Sequence, residues 1–207
     1  MRIFSVTPIH VGAEELGRRQ ARYDALLPAG VTLDLVDIGP AAPKALDTAE
    51  DIEASTAAVV AALRAAPDGY DVLLPDCVLD PGVEQLASEL PVVGILQLSL
   101  GWQVIRGRCS GMVARNEAIS AELMKRACAY GWEQHVIGVE VLGLDVEAIA
   151  DHAQWDGALD AALDRFGSSV STVINGCSAV PVKPHGKVTV VDPTALALRL
   201  IAAEDGR

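Results

Sequence analysis

Two cysteines each stand where an apolar run of the sequence ends. Cys77 lies in "LLPDCVLDPG", residues 73–82, directly after such a run. Cys177 lies in "STVINGCSAV", residues 171–180, in the same position relative to a second run. An isolated cysteine is more often a small buried hydrophobe than a reactive group. If both runs are strands of parallel sheets, however, the two thiols lie at the edge where ligands bind in open α/β folds.

Thiols in such places can act as acids and bases. A helix that begins just after a cysteine would offer backbone N–H groups and a dipole that lower the pKa of the thiol. A thiol whose pKa is tuned towards neutrality can take up a proton and return it. Two thiols on opposite sides of a carbon acid could remove a proton from one face and deliver one to the other, which inverts a stereocentre. The same N–H groups would stabilise an enolate oxygen or a substrate carboxylate.

The other two cysteines, Cys109 and Cys128, fall at the start of a predicted strand and within a predicted helix, which favours packing roles for both. The four cysteines are widely spaced and form no CxxC, so neither a zinc knuckle nor a thioredoxin-type motif is present. A disulfide framework is not expected in a chain without an export signal. We expect no metal and no cofactor.

The composition excludes several classes of partner. Hydrophobic residues make up 51% of the 207 residues, which is typical of a folded globular protein. Sixteen basic against 28 acidic residues give a formal charge of −12, and aromatic residues make up 4%, so the sequence lacks the basic and stacking groups that nucleic-acid binding needs. No apolar run is long enough for a membrane span, and the start "MRIFSVTPIH" does not resemble a signal peptide. We expect a cytoplasmic protein whose partner is a small molecule, and the pattern leaves a homo-oligomer open.

Apolar runs rich in β-branched residues alternate with stretches of helical period, which predicts alternating strands and helices. The predicted strands are Arg2–Thr7, Thr32–Asp37, Asp71–Pro75, Val92–Ile95, Ser110–Ala114, Gln134–Val141, Ser171–Asn175 and Val188–Val191. The predicted helices are Ala13–Leu27, Ala49–Ala66, Gly82–Glu89, Asn116–Tyr130, Trp155–Phe166 and Pro193–Ala203. This alternation is typical of an α/β fold with mostly parallel sheets.

Two pseudo-symmetric lobes are predicted, although no Gly-, Ser- or Pro-rich linker divides the chain. Each half contains a strand that ends in a cysteine, and these cysteines are 100 positions apart. We expect residues 1–95 with 192–207 to form a first α/β lobe that carries Cys77. Residues 96–191 would form a second lobe that carries Cys177. The active site would then lie in the cleft between the lobes.

Three motifs resemble those of the aspartate/glutamate/hydantoin racemase superfamily, and those of hydantoin racemases most closely. They are "DCVLDPGVEQLASELPVVGI" (residues 76–95), "INGCSAV" (residues 174–180) and "VVDP" (residues 190–193). The resemblance covers the whole chain, and the three matches in this order are specific together. It implies a cofactor-independent racemase or epimerase with Cys77 and Cys177 as the catalytic pair. It also implies that Val78 and Ser178 offer backbone N–H groups to the substrate.

Two segments depart from the hydantoin racemase pattern. Those proteins usually carry Asn-Pro-Asn-Thr after the first strand, whereas this chain has Thr7–Pro8–Ile9–His10 and keeps only the proline. Where they carry a Thr-Thr pair, this chain has Ala114–Arg115, followed by Asn116. The substrate-binding residues predicted from these positions are Pro8, His10, Arg115 and Asn116, beside Val78 and Ser178.

Arg115 is the most informative of these differences. Its guanidinium is a planar fork suited to a carboxylate, and a cation at the start of a helix gains nothing from the helix dipole. We therefore predict an anionic substrate, with a solvated surface arginine as the alternative. For His10 the two interpretations are a hydrogen-bond donor in the site and a solvated loop histidine.

Other reactions remain open beside racemisation. A single cysteine could protonate the enolate left by loss of CO₂, although the decarboxylases of the superfamily keep only one of the two thiols. One cysteine could also add covalently to a dicarboxylate and isomerise it from cis to trans. A non-catalytic member could bind a metabolite or sense oxidation through a bridge between Cys77 and Cys177.

Overall fold

Two parallel sheets carry the fold in the computed structural model, which describes residues 1–183, 185–186 and 188–204. The first sheet has the order β2-β1-β3 and consists of β1 (Arg2–Val6), β2 (Thr32–Val36) and β3 (Val72–Pro75). The second has the order β5-β4-β6-β7 and consists of β4 (Ser110–Ala114), β5 (Val136–Val141), β6 (Thr172–Asn175) and β7 (Thr189–Val191). Every strand pair within the two sheets is parallel, so the predicted α/β class with mostly parallel sheets is confirmed.

Helices connect the strands. They are α1 (Ala13–Leu26), α2 (Ala49–Arg64), α3 (Val83–Leu86), α4 (Ile95–Ile105), α5 (Glu117–Ala129), α6 (His152–Phe166) and α7 (Pro193–Glu204). Several begin at a residue whose side chain accepts from the free N–H groups of the first turn: Thr48 caps α2 in a capping box with Asp51, and Asn116 caps α5. Among the described residues, no helix is both long and apolar enough to cross a membrane.

The strands that carry the site are buried along their whole length. All residues of β3 (VLLP), β4 (SGMVA) and β6 (TVIN) are buried. Parallel strands covered by helices on both faces read as continuous apolar runs, which is why the sequence predicted these strands within a residue or two.

One predicted strand is wrong, and helix α4, which follows it, was not predicted. Residues Val92–Ile95 were expected to form a strand, but Val92 makes only an isolated bridge to Leu73, and α4 begins at Ile95. The β-branched run favoured a strand, whereas the helix depends on a distant partner. The buried carboxylate of Asp80 accepts from the N–H groups of Leu96 (2.9 Å) and Gln97 (2.7 Å), which satisfies the first turn of α4.

One core cluster joins the two sheets. It contains Ile3 and Leu74 from the first sheet and Met112 and Ile174 from the second, together with buried residues of α4 and α7. Helices α4 and α7 pack against each other in this region. The division into residues 1–95 with 192–207 and residues 96–191 stays a prediction, and residues 205–207 lie outside the described range.

The contribution of α4 can be tested on two of its residues. Leu100 is 0% exposed, whereas Ile105 on the same helix is 80% exposed. Leu100→Ala should lower the free energy of unfolding by about 2–5 kcal/mol because it leaves a cavity in the core. Ile105→Ala should change it by less than about 0.5 kcal/mol. Urea denaturation measures both, and equal losses would contradict the packing of α4 described here.

Gly176, which directly precedes Cys177, allows β6 to approach its neighbour closely. A Cβ at this position would overlap the carbonyl oxygen of Val113 in β4. Gly176→Ala should therefore cost about 3 kcal/mol of stability. Gly157 inside α6 is the matched control, because a Cβ there meets nothing within 4 Å. Gly157→Ala should stabilise the protein by about 1 kcal/mol, so similar thermal midpoints for the two variants would be inconsistent with this packing.

Candidate active site

Both predicted cysteines line the same small cavity. It has a volume of about 60 Å³ and lies at the carboxyl ends of the strands. Its lining consists of Pro8, Ile9, Arg19, Leu46, Cys77, Val78, Leu79, Arg115, Ile119, Val146, Ile149, Gly176, Cys177, Ser178 and Ala179. Six residues that the sequence predicted for the site therefore line this cavity: Pro8, Cys77, Val78, Arg115, Cys177 and Ser178.

Cys77 lies in a tight turn that follows β3. Its carbonyl oxygen accepts from the N–H of Asp80 at 3.2 Å. Asp80 has a φ of 50°, a left-handed conformation that is uncommon for a residue with a side chain. The Asp80 carboxylate stabilises this conformation by accepting hydrogen bonds from the N–H groups of the first turn of α4. It also accepts from the Tyr130 hydroxyl at 2.8 Å. The turn that presents Cys77 is therefore fixed at both ends.

Cys177 lies in a second turn, which follows β6. The side-chain amide of Asn175 donates to the carbonyl oxygens of Cys177 (3.0 Å) and Val180 (3.1 Å). Asn175 is 0% exposed, so these bonds are formed inside the protein, where the alternative is an unpaired amide. Cys177 follows β6 of the second sheet in the same way that Cys77 follows β3 of the first, which agrees with the predicted fold of two related lobes.

A buried polar network joins the two cysteine turns. Asp76 is 1% exposed, and its carboxylate accepts from Arg19 Nη1 (3.1 Å) and from the Tyr23 hydroxyl (2.6 Å). The carbonyl oxygen of Asp76 accepts from Ser178 Oγ at 3.1 Å. The residue before Cys77 is therefore bonded both to α1 and to the residue after Cys177.

A second set of bonds holds Ser178 from the other side. Its carbonyl oxygen accepts from Arg22 Nη1 (2.7 Å) and Thr194 Oγ1 (3.0 Å). Arg22 also pairs with Asp192 at 2.7 Å. Helices α1 and α7 thus both fix the Cys177 turn.

The thiol of Cys77 does not have the lowered pKa that the sequence suggested. Burial raises its pKa, the backbone N–H of Leu79 counteracts this, and the carboxylates of Asp76 and Asp80 raise the pKa further. The expected helix dipole is weak here, because α3 has only four residues and begins six positions after Cys77.

The environment of Cys177 differs from that of Cys77. Burial again raises the pKa of the thiol, but the N–H groups of Ala179 and Val180 and the charge of Arg19 all oppose this. In the described part of the chain, the next helix after Cys177 is α7, which begins at Pro193. Peptide N–H groups and one arginine therefore favour the thiolate here, in place of the helix dipole that the sequence suggested.

Arg115 lies in the cavity wall and is only 3% exposed, so the alternative of a solvated surface arginine is wrong. Its guanidinium is occupied by the chain itself. Nη1 donates to Leu144 O at 3.1 Å, and Nη2 donates to Leu46 O at 3.1 Å and to Asp47 Oδ1 at 2.6 Å. A substrate carboxylate would have to displace Asp47 to reach this fork.

Two predicted substrate-binding residues lie outside the cavity lining. Asn116 uses its side-chain oxygen to cap α5 and its amide nitrogen to bond Leu46 O at 2.9 Å. His10 bonds Asp37 through Nδ1 at 2.8 Å and is partly exposed. Pro8 does line the cavity, and its carbonyl oxygen accepts from Ser55 Oγ at 2.6 Å.

Sequence reasoning missed several residues of the cavity wall. Arg19 is 3% exposed, and it is bonded to Glu15 through Nε (2.7 Å) as well as to Asp76. The spacing of Glu15, Arg19 and Tyr23, four residues apart on one face of α1, was a signal that could have identified it. The apolar residues Leu46, Val146 and Ile149 lie in connecting segments whose patterns carry no comparable signal.

The packing roles predicted for Cys109 and Cys128 are wrong, since both side chains are exposed. Cys109 precedes β4 at the edge of the sheet away from the site, and Cys128 lies on the solvent face of α5. Within the described ranges, no group of three or more His, Cys, Asp or Glu side chains is placed to hold a metal ion.

The fold is shared with solved racemase structures. Allantoin racemases from Pseudomonas fluorescens (TM-score 0.81) and Klebsiella pneumoniae (TM-score 0.80) are each 19% identical to this chain; the first alignment covers 99% of this chain and 90% of the other, the second 100% and 88%. Aspartate racemase from Picrophilus torridus is 12% identical, with a TM-score of 0.63 over 98% of this chain and 94% of that one. No curated protein sequence matches the chain. The family model for Asp/Glu/hydantoin racemases matches residues 18–201, and the chain belongs to this family.

Proposed function

We propose that the protein is a cofactor-independent racemase or epimerase that transfers protons at a carbon next to a carbonyl group, with Cys77 and Cys177 as the two acid–base groups. The observation that carries this proposal is the placement of both thiols in one cavity, at the ends of corresponding strands of two parallel sheets. The backbone N–H of Leu79 is directed at the sulfur of Cys77, and those of Ala179 and Val180 are directed at the sulfur of Cys177; such groups can stabilise a thiolate.

In the proposed reaction one thiolate removes the α-proton, and the opposite thiol delivers its own proton to the other face of the carbon. The first cysteine ends as a thiol and the second as a thiolate, so atoms and charge balance without a further reactant. Burial raises the pKa of both thiols, and Cys177 is the better candidate for the group that forms the thiolate first, because Arg19 and two N–H groups oppose the rise there. A thiolate formed in this buried site is a strong base, and the raised pKa of both thiols means that rates should increase with pH as more thiolate forms.

The charge balance of the cavity wall favours a substrate without a carboxylate. Arg19 is paired with Asp76 and Glu15, and Arg115 is paired with Asp47. Much of the remaining wall is apolar, including Ile9, Leu46 and Ile149. A compact neutral ring of the hydantoin type fits these groups, and the structural similarity to allantoin racemases, whose substrate contains such a ring, supports it.

The anionic substrate predicted from Arg115 requires one further step, namely that the substrate carboxylate replaces Asp47 on the guanidinium. A one-cysteine decarboxylase or cis–trans isomerase leaves the second thiol without a role. A redox sensor would need a reversible bridge between Cys77 and Cys177, which a thiol count with and without reductant would detect.

Substitution of the cysteines tests the proposed reaction. In D₂O the protein should exchange the α-proton of a substrate drawn from a panel of hydantoins and 2-substituted acids, as read by NMR. Cys77→Ser and Cys177→Ser should each lower racemisation at least about a hundredfold because one acid–base group is lost. Each variant can keep exchange of the one enantiomer whose α-proton faces the remaining thiol.

Cys109→Ser and Cys128→Ser are matched controls, because both thiols are exposed and lie outside the cavity. Both should behave like the parent protein. Full racemisation in either cavity variant would show that the thiols are bystanders, and loss of activity in the control variants would show an effect of cysteine replacement that is unrelated to the cavity.

The charge preference is tested with a hydantoin and an open-chain carboxylate that bear the same substituent. The parent protein should prefer the hydantoin. Asp47→Asn frees the charge of Arg115, and it should shift the ratio of the two kcat/KM values towards the carboxylate by about tenfold, since a charged hydrogen bond becomes available. A parent protein that prefers the carboxylate would instead support the anionic substrate predicted from the sequence.

A further inference from the structure

Two connecting segments contribute to the cavity wall and also reach the protein surface. The first contains Leu46 and Asp47, between β2 and α2, and the second contains residues 144–149, between β5 and α6. Leu46, Val146 and Ile149 line the cavity, whereas neighbouring residues of both segments are exposed. We call these two segments the clamped loops.

A single guanidinium bonds both clamped loops. Arg115 Nη1 donates to Leu144 O of the second loop, and Nη2 donates to Leu46 O and Asp47 Oδ1 of the first. The backbone of Arg115 adds a further bond, since its carbonyl oxygen accepts from Leu144 N at 3.1 Å. The two loops therefore meet through Arg115, which follows a buried strand and is itself buried.

The weakest point of this arrangement is the contact with Asp47. The side chain of Asp47 is 52% exposed, whereas that of Arg115 is 4% exposed. Water and salt can compete for an exposed carboxylate far more readily than for the buried carbonyl bonds. The cavity of about 60 Å³ is enclosed in part by the loops that this contact holds, and Cys77 is only 5% exposed.

We propose that Arg115 is a positioning residue that clamps the two loops over the cysteines, and that opening of its contact with Asp47 gives small molecules access to the two sulfurs. Arg115 then acts through Leu46 and the second clamped loop without touching the reacting atoms. This role does not depend on which reaction the thiols perform, because it concerns access to the sulfurs alone.

Alkylation of the thiols by iodoacetamide tests the proposal without a substrate. The rate is measured separately for each cysteine by mass spectrometry of its peptide, across a range of pH. Asp47→Ala should raise the rates at Cys77 and Cys177 by about tenfold or more, because it removes the charged hydrogen bond from Arg115 together with the 3.2 Å bond that the Asn116 side-chain amide donates to the same carboxylate. Exposed Cys109 and Cys128 should keep the parent rates in the same samples and serve as internal references.

Glu89→Ala is the matched control. Glu89 is also an exposed carboxylate bonded to an arginine Nη2, that of Arg64, but neither residue lines the cavity. It should leave all four rates unchanged. Asp47→Glu retains the charge and should give rates between those of the parent and Asp47→Ala. Should Asp47→Ala fail to fold, Asp47→Asn removes the same charge with a smaller change of shape.

The pH dependence separates access from ionisation. If the clamp opens, the plateau rate at high pH rises and the midpoint of the profile stays in place. An unchanged plateau in the folded Asp47 variants would overturn the proposal, as would a profile that only moves along the pH axis. A negative alkylation result would not contradict the proposed racemase. A negative result in the D₂O exchange experiment would likewise not contradict the clamp, because exchange measures the reaction and alkylation measures access to the thiols.

Discussion

The bond between Ser178 Oγ and the carbonyl oxygen of Asp76 is the contact on which the candidate site depends. It joins the residue after one cysteine to the residue before the other, so it sets the distance between the two turns. Asp76 can serve this purpose because Arg19 and Tyr23 bind its buried carboxylate from α1. A lone carboxylate at this depth would be costly, and both donors are needed to offset the loss of water. The relative position of the two cysteine turns thus depends on Arg19 and Tyr23, which lie on α1, a helix that carries neither cysteine.

Charge compensation is the second property of the site. Each arginine of the cavity wall is accompanied by a carboxylate of the chain itself, so the wall offers directed hydrogen bonds without a large net charge. Such an arrangement suits a reaction in which only a proton changes place. Proton transfer between two thiols leaves the total charge of the cavity constant, and buried groups therefore do not have to reorganise around a new ion.

The parts of the structure that were predictable follow from local sequence. Strands such as β4 and β6 are buried on both faces and read as apolar runs, and the cysteines at the ends of β3 and β6 are visible in the same patterns. The properties that were not predictable depend on contacts far apart in the chain. Helix α4 is capped by Asp80, and Arg115 is bonded to Asp47, which lies 68 positions away. The direction of the thiol pKa shifts was also wrong from sequence, because the degree of burial outweighs the adjacent helix that the pattern suggested.

The hydrogen bonds of Ser178 and those of Arg115 involve different parts of the cavity wall. Substitutions in one part can therefore leave the other part in place. Movement or replacement of the clamped loops would change the shape of the cavity wall at Leu46, Val146 and Ile149, whereas the bond between Ser178 and Asp76 would still join the two cysteine turns. Substrate range and reaction type can therefore vary independently. If the proposed reaction is correct, residues 46–47 and 144–149 are the segments in which a new specificity could be grafted without moving the two cysteine turns.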